Sequence, residues 1–315
     1  MHNTMLDYAF FEGHIIPFTE ANISIGTHCV QYGTGAFAGI RGYLDDSGET
    51  VNIVRLPDHA RRLLNSARLL RADLPYDQDD ICRIIIELAE RNAHHGDIYI
   101  RPFIYKSAVQ LAPRLKGLGD EFAVYMLPIG DYLKLDQGQR AIVSSWFRIP
   151  DNAIPSRGKL SGAYVNSAFA KDEAEEKGAD EAIMLNTAGK IAEGSACNLF
   201  IVRNGVLTTP PFSSDILEGI TRRSVIQIAS DSGIEIEVRE IDRTELYLAE
   251  EAFFCGTGAQ IAWIESIDGR PVGNGTRGPI TQHLQDAFFD AVRGRSTKYS
   301  DWLTRVRIPV SAGVA

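Results

Sequence analysis

Residues 181–210 read EAIMLNTAGKIAEGSACNLFIVRNGVLTTP. The stretch is a meander of short apolar strands. It is broken by Asn186-Thr187-Ala188-Gly189 and by Asn204-Gly205, the dipeptide that suits a two-residue hairpin turn. Consecutive strands without a helix between them argue against a doubly wound parallel sheet, in which strands and helices alternate. They argue for an α+β arrangement.

Upstream, Tyr8–Phe11 and His14–Pro17 flank Gly13 as a hairpin, and 49–54 is a strand after the turn Asp45-Asp46-Ser47-Gly48. Residues 57–71 place Leu63, Ala67 and Leu70 on one helical face, opposite Arg61, Arg68 and Arg71. Residues 79–92 do the same with Ile81, Ile84, Ile85 and Leu88. Residues 97–105 and 121–128 are apolar enough for buried strands, and 140–147 is strand-like. Further helices are expected at 164–177, 221–231 and Pro279–Val292, and the end from Arg307 is expected to fray. Gly130, Lys134, Asp136 and Gly138 interrupt the pattern. The expected division is therefore an N-terminal α+β domain (1–128), a linker (129–139) and a C-terminal α+β domain (140–315).

The chain has 315 residues, 44% hydrophobic and 23% charged, with a formal net charge of -9, a composition suited to two soluble globular domains. Its arginines are scattered, and the pairs Arg61-Arg62 and Arg222-Arg223 lie near acidic residues, so no nucleic-acid partner is expected. Cys29, Cys82, Cys197 and Cys255 form no metal or redox motif. No basic n-region opens the chain and no apolar run approaches the ~18 residues of a membrane span. The expectation is a cytoplasmic protein without metal or membrane.

No Ser-His-Asp signature stands out, so a lysine nucleophile is the natural candidate among eight lysines. Lys171 and Lys177 lie on a charged helix face, Lys298 in the tail, and Lys116, Lys134 and Lys190 in turns or linkers. Lys106, at a strand end, and Lys159 remain. Lys159 sits in Ser156-Arg157-Gly158-Lys159-Leu160-Ser161-Gly162-Ala163-Tyr164, where small neighbours let a planar cofactor approach. By itself such a segment is more often a surface loop. Leu217-Glu218-Gly219-Ile220-Thr221 opens a helix, whose free N–H groups suit a phosphate, although a helix start without ligand is commoner. Gly256-Thr257-Gly258 is an anion nest or only a tight turn. Glu193 lies among small residues, and a solvent-facing strand glutamate is its plain alternative.

Together these segments have a familiar order. With Gln31-Tyr32-Gly33-Thr34-Gly35-Ala36-Phe37-Ala38-Gly39-Ile40-Arg41, Tyr99-Ile100-Arg101-Pro102 and Glu193-Gly194-Ser195-Ala196-Cys197-Asn198-Leu199-Phe200, the chain resembles branched-chain amino acid aminotransferases of the fold-type IV (class IV) pyridoxal-phosphate-dependent family, from Asp7 to about Leu303. The resemblance implies two α+β domains with pyridoxal 5′-phosphate between them and a homodimer or larger assembly. It also implies exchange of amino groups between leucine, isoleucine or valine and 2-oxoglutarate through a Lys159 aldimine. Glu193 would face the pyridine nitrogen and Tyr164 the phenolic oxygen. Arg62, the helix start at Leu217, Gly219, Ile220 and Thr221, and the Gly256-Thr257 turn would hold the cofactor and its phosphate. Phe37, Tyr99, Arg101 and Tyr132 would line the substrate pocket, with Tyr32 entering from a neighbouring subunit. The Thr257 and Gly258 amides would take the α-carboxylate.

Four departures from the family's pattern concern specificity: Ala38 for an acidic residue, Gln31 for a histidine, Ile129 for a tryptophan of some relatives, and the loop 107–115 without its usual glycine pattern. They keep an (R)-selective amine transaminase or a mixed-specificity enzyme as the alternative. An aminodeoxychorismate lyase, which shares the fold, is a further one. A D-amino-acid enzyme is disfavoured, because the histidine expected beside Arg101 is absent.

Overall fold

The computed structural model describes residues 5–130 and 133–308. Tyr132 therefore lies outside the described residues. The chain forms two units, Met1–Gly130 with Gly158–Gly162 and Asp290–Ala315, and Asp131–Arg157 with Ala163–Phe289. The first unit takes in the lysine segment Gly158–Gly162 and the residues from Asp290 onward, all of which lie within the stretch 140–315 of the sequence reading. For the lysine segment the reason is local bonding. Phe37 N–H donates to the Lys159 carbonyl at 3.0 Å and Gly162 N–H to the Gly33 carbonyl at 3.1 Å, while Ala36 bridges Leu160.

In the first unit the elements run β1 (Tyr8–Phe11), β2 (His14–Pro17), α1 (His28–Tyr32), β3 (Gly35–Phe37), β4 (Ile40–Leu44), β5 (Thr50–Val54), α2 (Leu56–Leu69), α3 (Gln78–Asn92), β6 (Ile98–Lys106) and β7 (Asp120–Pro128). The β-strands make an antiparallel sheet in the order β5-β4-β6-β7-β1-β2, with β3 also on β6. A capping box between Asp77 and Asp80 starts α3, and its apolar stripe Ile81, Ile84, Ile85 and Leu88 is buried as the 3.6-residue period requires. Leu63, Ala67 and Leu70 are buried likewise at α2.

Strand β6 alternates, with Ile98, Ile100 and Ile104 buried and Tyr99, Arg101 and Phe103 half-buried on the other face. Pro102 stands inside it and has no N–H to give. The ladder opposite is broken there, between Phe37↔Phe103 at the end of β3 and Ile40↔Ile100 at the start of β4. The missing donor thus divides what would be one strand at Ala38-Gly39.

The second unit contains β8 (Gln139–Val143), α4 (Tyr164–Glu176), β9 (Glu181–Leu185), β10 (Ile191–Gly194), β11 (Asn198–Arg203), β12 (Val206–Thr209), α5 (Ile220–Asp231), β13 (Ile236–Val238), β14 (Glu251–Gly256), β15 (Gln260–Ile267), β16 (Arg270–Pro271) and α6 (Pro279–Val292). Its sheet order is β10-β9-β8-β15-β14-β11-β12-β13, with β16 on β15. The sheet is mixed, because β8 runs parallel to β9 and β15, and β12 parallel to β13. The meander is present, and Asn204 and Gly205 both take positive φ in its hairpin turn. Ile183, Ile191, Leu199, Ile201, Phe254 and Ile264 belong to the core of this unit.

Strand β8 ends earlier than the expected 140–147. Past Val143 the Glu173 carboxylate accepts from Ser144 Oγ and Ser145 N–H, and Ser144 Oγ accepts from Trp146 N–H, so side chains replace ladder partners. Finally, β17 (Leu303–Arg307) pairs antiparallel with β5 of the first unit, so Arg307 lies in a strand and the expected fraying does not begin there. No described helix is long and apolar enough to cross a membrane.

The buried pair Lys106–Asp120 (2.7 Å, side chains 1% and 6% exposed) closes the β6–β7 ladder, and Lys106 Nζ also donates to the Arg71 carbonyl at 3.0 Å. Removing one member leaves a charge stranded, whereas replacing both with apolar groups does not. Asp120→Ala is expected to cost about 3–5 kcal/mol in urea unfolding. Lys106→Met with Asp120→Leu should recover most of that loss, and equal losses in the two variants would refute the reading.

Candidate active site

Each unit carries a cluster of the residues singled out by sequence. In the first, Lys159 is fixed through its backbone. Its carbonyl accepts from Phe37, and its N–H donates to Ser66 Oγ at 3.1 Å. Ser66, fully buried on α2, donates its own proton to the Arg62 carbonyl one turn earlier, at 2.9 Å. Lys159 and Arg62 are thereby tied to one helix. Lys159 Nζ stands 5.2 Å from the Phe37 ring centroid.

The same ring meets a second cation, the Arg101 guanidinium, at 4.4 Å. Arg101 also lies 5.1 Å from the Tyr99 ring centroid, and its Nη2 donates to the Tyr99 hydroxyl at 3.1 Å. The alternation of β6 puts these two side chains on one face, and Gly39 makes room for them. A Cβ at position 39 would stand 2.0 Å from the Tyr99 hydroxyl oxygen. Phe37, Tyr99, Arg101 and Lys159 thus form one group.

Tyr32 is not part of it. At the end of α1 it is 40% exposed, its ring 4.6 Å from that of His28. The buried His28 joins several segments. Its backbone N–H donates to the Ala108 carbonyl, its Nε2 lies 2.7 Å from the Ala112 carbonyl and its Nδ1 2.7 Å from Thr34 Oγ1. A carbonyl only accepts, so Nε2 carries the proton. The altered loop 107–115 is thereby attached to the helix that bears Tyr32, and Thr27 bridges Val109 as well. Of the other departures, Ala38 is buried and Gln31 Nε2 donates to the Ile25 carbonyl.

In the second unit Glu193 lies near the end of the buried strand β10 and is 5% exposed. Arg148 Nε lies 2.8 Å from its Oε1, outside hydrogen-bond angles but as an ion pair. Asn198 Nδ2 donates to Oε2 at 2.9 Å, and Leu217 N–H reaches both oxygens at 3.2–3.3 Å. These partners all present positive charge or protons, an arrangement for a carboxylate and not for a carboxylic acid, whose own proton would need an acceptor.

Leu217 leads directly into α5. Gly219 is its N-cap, without a side-chain cap bond, and the first intrahelical bond there is Arg223 N–H to the Gly219 carbonyl. The N–H groups of Ile220 and Thr221 precede it and have no acceptor within the helix, so they are available to an anion. The β14–β15 hairpin, Thr257-Gly258-Ala259 between Gly256 and its partner Gln260, is held beside Glu193. β14 pairs with β11 at Asn198↔Cys255, and Gly256 lies against Ala196 and Cys197 of the turn after Glu193. Glu181 braces that turn by accepting from Ser195 N–H. Tyr164 is the half-buried first residue of α4.

Other nucleophiles are poorly placed. Burial pushes the Cys29 and Cys82 thiols up to about 11 and the Cys255 thiol to about 12, so little thiolate forms at neutral pH. Lys106 is occupied in its buried pair. Sequence reading passed over Ser66, Arg148 and Asn198. Ser66 carried a signal, standing one helical turn after Arg62. Arg148, beyond the end of a strand, carried none.

Comparison with known proteins agrees with this geometry. The pattern of the family Amino-transferase class IV matches residues 37–267. A probable branched-chain-amino-acid aminotransferase of Aquifex aeolicus is 46% identical over 96% of this chain and 97% of its own length. The solved branched-chain aminotransferase of Thermoproteus uzoniensis with norvaline superposes with a TM-score of 0.92 at 43% identity, covering 96% of this chain and 99% of that one. The branched-chain amino acid aminotransferase of Thermobaculum terrenum in its PLP-form also gives 0.92, at 40% identity, covering 97% and 99%. The fold is that of an aminotransferase with mixed helices and sheets in two domains. The chain belongs to the class IV aminotransferases.

The contact at Gly39 yields a test. Gly39→Ala must displace the Tyr99 hydroxyl, and loss of a hydrogen bond to a charged group costs about 1.5–3 kcal/mol. A crystal structure of the variant should show the Tyr99 ring turned away from Arg101, with the 3.1 Å hydrogen bond between them lost. A Tyr99 ring in its original place would contradict the steric argument.

Proposed function

We propose that this chain exchanges amino groups between branched-chain L-amino acids (leucine, isoleucine and valine) and 2-oxoglutarate, with pyridoxal 5′-phosphate as cofactor. The observation that carries the proposal is the Phe37 ring flanked by Lys159 and Arg101. One small space offers an amine nucleophile, an apolar wall and a cation. An apolar wall suits a leucine-like side chain, and the Arg101 guanidinium suits the distal carboxylate of glutamate. The relatives named as branched-chain aminotransferases support the same substrates.

The residues fit the cofactor. The uncapped start of α5 offers donors to its phosphate, and Glu193 offers a carboxylate prepared by its own donors. When bound, pyridoxal phosphate supplies the carbonyl that accepts the amino group and a ring that accepts electrons. Lys159 Nζ holds the cofactor's carbonyl carbon and carries the proton that leaves the substrate Cα. Glu193 keeps a proton on the ring nitrogen, and Tyr164 donates to the phenolic oxygen. Arg62, Leu217, Gly219, Ile220, Thr221, Gly256 and Thr257 seat the ring and phosphate. The Thr257 and Gly258 amides bind the α-carboxylate, while Phe37, Tyr99 and Arg101 line the side-chain pocket; the Tyr132 expected beside them lies outside the described residues.

A homodimer, working in the cytoplasm, completes the proposal, with Tyr32 entering a second copy's pocket. Ile25, Val30, Val109 and Leu111 are exposed around α1 and the loop attached to it, an apolar surface of the kind that subunits cover.

Half-reactions with L-leucine, L-isoleucine, L-valine, L-glutamate, D-alanine and (R)-1-phenylethylamine, followed by visible absorbance, test the substrates. L-leucine, L-isoleucine and L-valine should react well and the (R)-amine weakly. A faster reaction of the (R)-amine or D-alanine would overturn the branched-chain reading. Borohydride reduction should fix the cofactor on Lys159 and on no other lysine, and Lys159→Ala should abolish transfer. Glu193→Gln should lower kcat by ~10²-fold, about 3 kcal/mol, with little change in cofactor affinity. An undiminished kcat would remove Glu193 from its role.

A further inference from the structure

Asn198 opens β11 and is 5% exposed. Its Nδ2 donates twice, to Glu193 Oε2 at 2.9 Å and to the Leu217 carbonyl at 3.1 Å. Both partners are acceptors, which fixes the orientation of the amide. The Leu217 N–H returns to the Glu193 carboxylate, so carboxylate, amide and the backbone of Leu217 make a closed ring of hydrogen bonds.

The other end of the amide explains Gly219. The backbone there, φ -67° and ψ 130°, is open to any residue, so no conformational demand selects glycine. A Cβ at 219 would instead stand 1.8 Å from Asn198 Oδ1. The glycine is required because Asn198 lies against it. One side chain therefore sets the position of Glu193 and of the first residues of α5.

We infer that Asn198 is a positioning residue that locks the Glu193 carboxylate to the start of α5, so that the ring-nitrogen and phosphate ends of pyridoxal phosphate are bound as a pair. The inference rests on the assignment of Glu193 and the α5 start to the cofactor. Without the amide, Glu193 keeps Arg148 and the Leu217 N–H but loses the side chain that also bonds the Leu217 carbonyl and packs against Gly219, so its tie to the phosphate seat is loosened. A residue that merely filled space would change stability and leave the protonation of the ring nitrogen alone.

The test uses apoenzyme prepared from the holoenzyme, wild type and Asn198→Ala, titrated with pyridoxal phosphate and with pyridoxal, which lacks the phosphate. Protein fluorescence reports binding, thermal unfolding reports the fold, and nitrogen-15-labelled cofactor reports ring protonation by NMR. Asn198→Ala should bind pyridoxal phosphate ~10- to 100-fold more weakly. Its affinity for pyridoxal should fall by a smaller factor, and the nitrogen resonance should move toward the unprotonated position. Gly219→Ala by itself should weaken pyridoxal phosphate binding, and it should add little in the Asn198→Ala background, where the 1.8 Å clash is gone and only the milder 3.2 Å approach to Arg222 Cβ remains.

Should Asn198→Ala not fold, Asn198→Asp keeps the volume and sets a second carboxylate against Glu193, with a larger loss expected in the same readouts. An Asn198 variant that melts earlier but retains both affinities and the nitrogen signal would reduce Asn198 to a packing residue and overturn the inference. Failure of the wild-type chain to bind pyridoxal phosphate, seen before any variant is compared, would instead overturn the cofactor reading and the inference with it.

Discussion

The hydrogen bond from Lys159 N–H to Ser66 Oγ is the constraint from which the first unit's chemistry follows. A lysine has four side-chain torsions and is costly to hold in place by its tip. Here the backbone is held instead, between Ser66 on one side and Phe37 N–H on the other. The amine at the far end of the side chain then lies 5.2 Å from the Phe37 ring centroid. Because Ser66 also bonds the Arg62 carbonyl, the same helix turn carries the cation assigned to the phosphate.

The second unit takes the opposite course, holding a charge in place by its surroundings. Burying a carboxylate is unfavourable unless its oxygens are met by donors. Glu193 obtains donors from the start of β11 and the approach to α5, and an ion pair from Arg148 in the segment after β8. Packing this carboxylate therefore also fixes where α5 begins. Structural satisfaction and functional placement are one arrangement here, a coupling that pairwise removal of contacts will understate.

The fold class and most elements were legible because their signals are local. The stripe of α3 and the Asn204-Gly205 turn are read from periodicity and from positive φ at two adjacent residues. The order of motifs named the family, and Lys159, Phe37, Tyr99 and Arg101 do gather in one unit. What escaped is non-local. Nothing near residue 159 says that its backbone is bonded to residues 37 and 66. Arg148 stood just past a stretch expected to be strand, and its relation to Glu193 depends on a sheet assembled from distant segments. The break at Ala38-Gly39 was unread for a related reason: Pro102 is far along the chain, and its missing donor is felt only across the ladder.

His28 sets a limit on how far this scaffold can be treated as a set of interchangeable parts. One imidazole, donating at Nε2 to the Ala112 carbonyl and hydrogen-bonded at Nδ1 to the Thr34 hydroxyl, joins the loop 107–115 to Thr34 and to the helix that displays Tyr32. A loop transplanted from a relative would have to present a carbonyl where Ala112 presents one, or leave a buried ring nitrogen unsatisfied. The loop and residues 27–34 are therefore one structural cassette. Exchanging them together, and not the loop alone, is the move the architecture permits.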